Sequence, residues 1–184
     1  MVRTGRGYPG RGRTRRRPRV EGVTAPLLDQ YGRVATDLRV SLTDRCNLRC
    51  SYCMPAEGLD WLPAEETLTD DEVVRLITIG AERLGIREVR FTGGVPLLRR
   101  GLVGIVASAH ALGLKTALTT TGLGLERQAA ALAAAGLDRL NVSIDSIRAG
   151  TYAAITLRDR LPDVLAGLAA ARSAGLDPVK LSLR

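Results

Sequence analysis

Three cysteines, Cys46, Cys50 and Cys53, stand within eight residues, and the 184-residue chain has no others. An odd number of thiols this closely spaced does not make a disulfide framework, so the expected chemistry is a metal site. The segment Cys46-Asn47-Leu48-Arg49-Cys50-Ser51-Tyr52-Cys53 lets a looping backbone present three thiolates to one face of a cuboidal 4Fe-4S cluster. Three thiolates for four irons leave one iron open to a chelating ligand. A zinc site would need a fourth protein ligand. The single histidine, His110, falls far along the chain in a helical segment beside Ala109 and Leu112, which suits packing or surface better than ligation. Reactive or incidental cysteines would not account for C-x3-C-x2-C with an aromatic residue before the last thiol.

The elements that must hold this loop alternate regularly. Leu38 to Leu42 is expected as a first strand, and the cysteine loop follows it. Thr69, with Glu72 three residues on, forms a capping box that opens a helix through Val73, Val74, Leu76, Ile77 and Leu84, and Gly85 ends it. Further strands are expected at Arg87–Phe91, Leu114–Thr119, Leu140–Ile144 and Val179–Leu183, with helices at Leu102–Leu112, Leu125–Ala135 and from Pro162 through Ala171. Five strands joined by helices imply an α/β fold with parallel strands and right-handed crossovers, curved as a partial barrel or open as a doubly wound sheet. In either form ligands sit at the C-terminal ends of the strands. The cysteine loop, the Gly93-Gly94 turn, the turn from Thr119 to Gly122, and Ser143 all fall there, converging on one mouth.

The net charge of +8 is local. Residues 1–19 hold eight arginines and no acid, and 27 basic residues less these 8 leave 19 against 19 acids in the body. The Arg/Gly/Pro-rich segment 1–26 cannot bury enough apolar surface to order itself and is expected as a disordered, solvated tail. Apart from Tyr8 it has no aromatic residues of the kind that stack on bases, so a nucleic-acid arm is not expected. It also lacks the apolar stretch of a secretory signal, and no run of 18 apolar residues occurs anywhere, so no membrane span is expected and the expected location is the cytoplasm.

The run from Leu38 to Pro55 (LRVSLTDRCNLRCSYCMP) resembles the molybdenum-cofactor biosynthesis protein A family, the GTP 3′,8-cyclases of the radical S-adenosylmethionine (SAM) type. The resemblance continues through Arg90 to Gly94, Pro96 to Arg100, Leu118 to Thr120, Asn141 to Ser146 and Arg158-Asp159, and so covers residues 27–183. It implies a partial, TIM-like βα barrel that stops after about five strands, residues 27–184 being the N-terminal part of the radical SAM core. It implies a 4Fe-4S cluster on Cys46, Cys50 and Cys53, with SAM on the open iron. Tyr52 and Gly94 would meet SAM through their backbone and Ser143 through a hydrogen bond, while Arg39, Arg90, Thr119 and Lys180 would hold GTP. The implied reaction uses a 5′-deoxyadenosyl radical to convert GTP to 3′,8-cyclo-7,8-dihydro-GTP, fed by an external electron donor. The residues agree with these roles, since Arg39, Arg90 and Lys180 bring three cations towards a strand-end mouth where a triphosphate needs them.

The family also carries a C-terminal half with a second three-cysteine cluster that binds guanine. Nothing here corresponds to it, and the last strand is expected as an edge open to a second copy or a complementing chain. Val95 stands where the family has a glutamate that accepts the SAM ammonium. The lost charge-assisted hydrogen bond is expected to cost about 1.5–3 kcal/mol, roughly tenfold to a hundredfold in affinity. Thr121, Leu157 and Ser182 are milder departures, each in place of a residue better suited to a polar contact or a turn. Three functions therefore compete: a cyclase-derived domain, a non-catalytic cluster- or SAM-binding module, and a radical SAM enzyme acting on another substrate.

Overall fold

In the computed structural model the described residues are 26–183. The arginine-rich tail falls outside them, apart from Pro26. Five strands, β1 (Asp37–Ser41), β2 (Glu88–Thr92), β3 (Lys115–Thr120), β4 (Arg139–Ser143) and β5 (Val179–Ser182), form one sheet in the order β1-β2-β3-β4-β5. Every neighbouring pair is parallel. The helices between them are α1 (Asp70–Leu84), α2 (Leu102–Ala111), α3 (Ala129–Ala134), α4 (Ala149–Thr156) and α5 (Leu161–Ser173).

Sequential strand order with right-handed crossovers winds the chain in one sense, so the helices collect on a single face. The strands show it by alternation. Leu38, Val89, Phe91, Leu118, Leu140 and Val142 turn to the helices, and all but Leu38 are buried. The opposite face carries Arg39, Arg90, Thr119, Asn141, Ser143 and Lys180, and none of these is fully buried. This is an arc of a βα barrel; a doubly wound sheet would reverse its strand order and cover both faces.

Local chemistry fixes the element ends. The Thr69 hydroxyl accepts from the Glu72 N–H at 3.3 Å while the Glu72 carboxylate accepts from the Thr69 N–H at 2.8 Å. Val73, Ile77 and Gly80 then form the buried stripe of α1, and Gly85 closes it at φ 74°, a left-handed angle that glycine takes without a Cβ clash. The expected helix Leu125–Ala135 is broken instead: a 3-10 turn at Leu125–Arg127 precedes a six-residue α3. Gly124, at φ 84°, sets that turn, and Gln128 leaves the helix to donate to the Leu97 carbonyl at 3.0 Å. The strands begin and end within about one residue of expectation, the usual uncertainty of element ends.

α4 was not expected from the sequence. It has no side-chain cap, contains Gly150 and two threonines, and shows little amphipathic pattern. Tyr152 and Thr156, one turn apart, are both buried and anchor it. It ends on Leu157 at φ 52°, the one non-glycine residue with positive φ among those described.

Candidate cluster and nucleotide site

The chain leaves β1 at Ser41 and enters the cysteine loop through Thr43–Arg45, which is stitched to the exit of β2. Gly94 donates its N–H to the Thr43 carbonyl at 2.6 Å and Val95 to the Arg45 carbonyl at 2.8 Å. A Cβ on Gly94 would lie 2.1 Å from the Arg45 carbonyl oxygen, so only glycine permits the approach. Gly94 also lines a cleft of about 380 Å³ together with Ser41, Thr43, Asp44 and Arg99. Arg99 ties the surroundings together, donating to Asp70, to the Leu42 carbonyl at 2.8 Å and to the Leu68 carbonyl at 2.7 Å.

α4 holds the cysteine loop from its other side. The Arg49 N–H donates to the Thr156 carbonyl at 3.0 Å and the Ser51 N–H to the Ile155 carbonyl at 2.9 Å, so the last turn of the helix supports Cys50 from both flanks. Cys53 and Met54 then donate back to the Cys50 carbonyl at 2.8 and 3.1 Å, winding the loop into a turn that offers Cys50 and Cys53 together. Arg49 braces the same turn from inside, donating to the carbonyls of Cys46 and Leu48 at 3.1 and 2.8 Å while stacking over Trp61 at 5.6 Å. The Thr121 hydroxyl donates to Asn47 Oδ1 at 3.1 Å, adding a tie from the exit of β3.

All three cysteines are free thiols, Cys46 and Cys50 half-buried and Cys53 exposed. Burial pushes the Cys50 thiol up, Asp145 and the other two cysteines push it further, and the Tyr52 hydroxyl opposes them. That hydroxyl donates to Asp145 Oδ2 at 2.8 Å, which ties the loop to the exit of β4. Burial, and then the Asp145 carboxylate that the hydroxyl donates to, hold the Tyr52 phenol well above its usual range. Tyr152 is 1% exposed, and burial, then the nearby Cys50, push its phenol up to about 12. Its hydroxyl is buried without a hydrogen-bond partner among the described residues.

No trio of His, Cys, Asp or Glu among the described residues gathers tightly enough to hold a single metal ion. A cubane cluster does not ask for that, since it puts each thiolate on a different iron. The donor set fits such a cluster in its chemistry: three free thiols on one eight-residue loop, each able to lose its proton to iron. His110 offers zinc no help. It lies in the last turn of α2, at the end of the helix that enters β3 and so at the opposite end of the sheet from the cysteines, packed over Gly136.

The expected nucleotide residues share the open face but not one spot. Arg39 and Arg90 are direct neighbours across β1 and β2. Thr119, Asn141 and Lys180 form the next row towards the strand ends. Arg39 and Lys180 are four strand spacings apart, about 19 Å along the sheet. Arg90 is engaged by Glu88 at 3.3 Å, and the same carboxylate holds Arg139 at 3.3 Å. Among the described residues Arg39 and Lys180 enter no ion pair. Ser143 pairs with Ser182 at the row nearest the mouth, and the Ser182 hydroxyl donates to Asn141 Oδ1 at 3.1 Å. Val95 is fully buried, so the turn after β2 offers the mouth no carboxylate, and Asp145 is the acid beside the cysteines.

A model of the radical SAM superfamily matches residues 40–183. The chain belongs to the radical SAM superfamily. Membership carries with it a 4Fe-4S cluster and SAM as cofactors, and Cys46, Cys50 and Cys53 are the only cysteines present to hold the cluster. Among curated proteins it is 63% identical over 162 residues to a GTP 3′,8-cyclase of Mycobacterium sp. (strain KMS), covering 87% of this chain and 46% of that protein. It is 65% identical over 158 residues to the GTP 3′,8-cyclase of Streptomyces coelicolor, covering 85% and 46%. The chain thus spans about half the length of the curated relatives it matches. Solved radical SAM structures share the fold at low identity. Streptococcus suis SuiB bound to S-adenosylmethionine matches with TM-score 0.60 at 17% identity, over 80% of this chain and 33% of that one. The protein anSMEcpe with bound AdoMet matches with TM-score 0.63 at 16% identity, over 79% and 42%.

Sequence reasoning did not single out Asp145, which accepts from Tyr52, or Tyr152, whose helix receives the cysteine loop at its last turn. Asp145 was visible only as one of an alternating polar set, and nothing in the local pattern around Tyr152 set it apart from an ordinary core residue.

Proposed function

We propose that this chain forms the SAM-binding and part of the nucleotide-binding portion of a GTP 3′,8-cyclase of molybdenum-cofactor biosynthesis. The observation that carries the reading is the sheet's open face. It runs from a pair of arginines, through a row of polar side chains, to a three-cysteine loop at the strand ends. That is a path along which an anionic nucleotide can reach a redox centre. Identity above 60% with GTP 3′,8-cyclases over most of the chain supports it.

Bound together, the cluster and SAM supply one-electron cleavage of the sulfonium and thereby a radical able to take hydrogen from a sugar carbon. The chain's own residues position and shelter. Cys46, Cys50 and Cys53 would hold the cluster through three of its irons and leave a position for SAM. The Tyr52–Asp145 hydrogen bond, the two bonds from α4 and the Thr121–Asn47 bond fix the loop against three separate elements, which would hold the cluster in a set position at the strand ends. Ser143, with Gly94 and the Tyr52 backbone, would contact SAM. Arg39 and Arg90 would take phosphate oxygens as charge-assisted partners, Arg90 exchanging Glu88 for the ligand, while Lys180 and Thr119 would meet the nucleotide nearer the mouth. Cofactor chemistry leaves the protein this orienting and water-excluding part. An external one-electron donor is required, and a second copy or complementing chain against β5 would complete the enclosure.

The test is anaerobic reconstitution with iron and sulfide, electron paramagnetic resonance (EPR) before and after SAM, and GTP binding by calorimetry. The expected result is a reduced 4Fe-4S signal that shifts with SAM, and GTP affinity that falls at least tenfold in Arg39→Ala and in Lys180→Ala. GTP binding unaffected by either substitution would falsify the nucleotide assignment. The buried Val95 favours a second reading, a cluster-binding module that does not cleave SAM. A cluster signal that SAM leaves unchanged would select it.

A further inference from the structure

We propose that Arg139 is a phosphate-binding residue that acts together with Arg90, and that the Glu88 carboxylate competes with the phosphate for both arginines. The inference rests on the nucleotide reading above and adds to it two residues with no assigned role there.

Strand register puts Arg39, Arg90, Ala117 and Arg139 in one row from β1 to β4. Register partners in a parallel sheet point to the same side, so three guanidinium side chains and one methyl group share this row of the open face. The backbones of Arg90 and Arg139 stand two strand spacings apart, about 10 Å. Their side chains meet all the same. Arg90 Nη2 and Arg139 Nη1 donate to a single oxygen, Glu88 Oε1, at 3.3 and 3.4 Å. Ala117, the residue between them in the register, has no side chain long enough to keep them apart.

Two guanidinium groups turned to one carboxylate oxygen form a fork that also suits a phosphate, which brings more charge and a third oxygen. The contacts to Glu88 are long for charge-assisted bonds, and the arginine side chains are 44% and 56% exposed, so both ion pairs are weak and open to exchange. Arg39, next to Arg90 in the row, enters no ion pair among the described residues and can take a further phosphate oxygen. Glu88 is 14% exposed, and a carboxylate that loses its arginines there needs another cation. Lys115 is its register partner on β3 and enters no ion pair among the described residues.

The test is calorimetric titration of the reconstituted 184-residue chain with GTP, with guanosine and with inorganic tripolyphosphate. It compares the native chain with Arg139→Ala, Glu88→Gln and Arg172→Ala, the last removing one exposed positive charge from α5 on the helical side of the sheet. Arg139→Ala should weaken GTP and tripolyphosphate at least tenfold and guanosine less than twofold. Glu88→Gln should tighten GTP and tripolyphosphate at least threefold, and Arg172→Ala should change neither by as much as twofold. A smaller loss in Arg139→Ala, an equal loss for guanosine, or an equal loss in Arg172→Ala overturns the phosphate role, and no gain in Glu88→Gln overturns the competition. Should Arg139→Ala not fold, Glu88→Gln decides: the threefold gain supports the proposal and its absence overturns it. GTP binding that depends on Arg39 but not on Arg139 keeps the nucleotide reading and sinks this proposal. Tripolyphosphate binding that depends on Arg139, in a chain that does not bind GTP, does the reverse, and a chain that binds neither sinks both.

Discussion

At the scale of single residues, the cysteine loop is held less by its cysteines than by their neighbours. Arg49 braces the carbonyls inside the turn, Tyr52 reaches Asp145, and Asn47 receives Thr121. Thr121 was expected to weaken the mouth, yet its hydroxyl forms one of these ties. Leu157 is the reverse case. Its φ of 52° is a conformation that costs a non-glycine residue about 1–2 kcal/mol. The side chain is only partly buried, so little packing offsets that cost. Leu157→Gly gives back part of the gain through the greater freedom of unfolded glycine. The expected net effect is about 0.5 kcal/mol of added stability, or roughly 1–2 °C in Tm for a chain of this size. Differential scanning calorimetry of the apoprotein checks it, and a lowered Tm would show that the Leu157 side chain matters more than its backbone.

At the scale of elements, α1 is the best specified helix, because cap, buried stripe and terminal glycine agree. Thr69→Ala should cost about 1 kcal/mol in urea unfolding at neutral pH. The backbone N–H and then the hydroxyl of Thr69 hold the Glu72 carboxyl below its ordinary value of 4.5. A depressed folded pKa means that the carboxylate contributes stability above that ordinary value and loses the contribution as pH falls through the depressed one. The penalty of Thr69→Ala should therefore shrink as the medium is acidified below about pH 4.5. An equal penalty at pH 7 and pH 3 would mean that the bond from the Thr69 hydroxyl to the Glu72 carboxylate adds nothing to the cap. α4 shows the opposite logic. Its own pattern is weak, and its place is set by the buried Tyr152 and Thr156 and by the loop it supports.

At the scale of the whole molecule, the sheet is an open arc with two borders, and β5 pairs only with β4 among the described residues. Leu181 and Leu183 near that border are 45% and 66% exposed, and Ile147 reaches 75%. A parallel border strand with exposed apolar side chains invites pairing. Sedimentation velocity should show association of the 184-residue chain that rises with concentration. Leu181→Lys should move the equilibrium towards monomer while leaving iron uptake unchanged. A chain that stays monomeric throughout would show that this border is protected. Among the described residues no helix is long and apolar enough to cross a membrane, in line with the lack of any long apolar run.

Much of this architecture was legible without coordinates. The period of two in the strands, the capping box at Thr69 and the glycine stops are local signals, and local chemistry specifies them. The cysteine spacing is legible for the same reason, since eight residues contain it. Whether the sheet was a barrel arc or doubly wound was not, because both use the same βα units and differ only in which strands become neighbours. The tertiary structure decided that, and with it which face is left polar. It decided, too, that Arg39 and Lys180 lie at opposite borders while Arg39 and Arg90 are adjacent. Asp145 and the helix that carries Tyr152 meet the cysteine loop only in three dimensions. They lie about a hundred residues from the cysteines, and hydrogen bonds and burial, which no spacing rule encodes, bring them together.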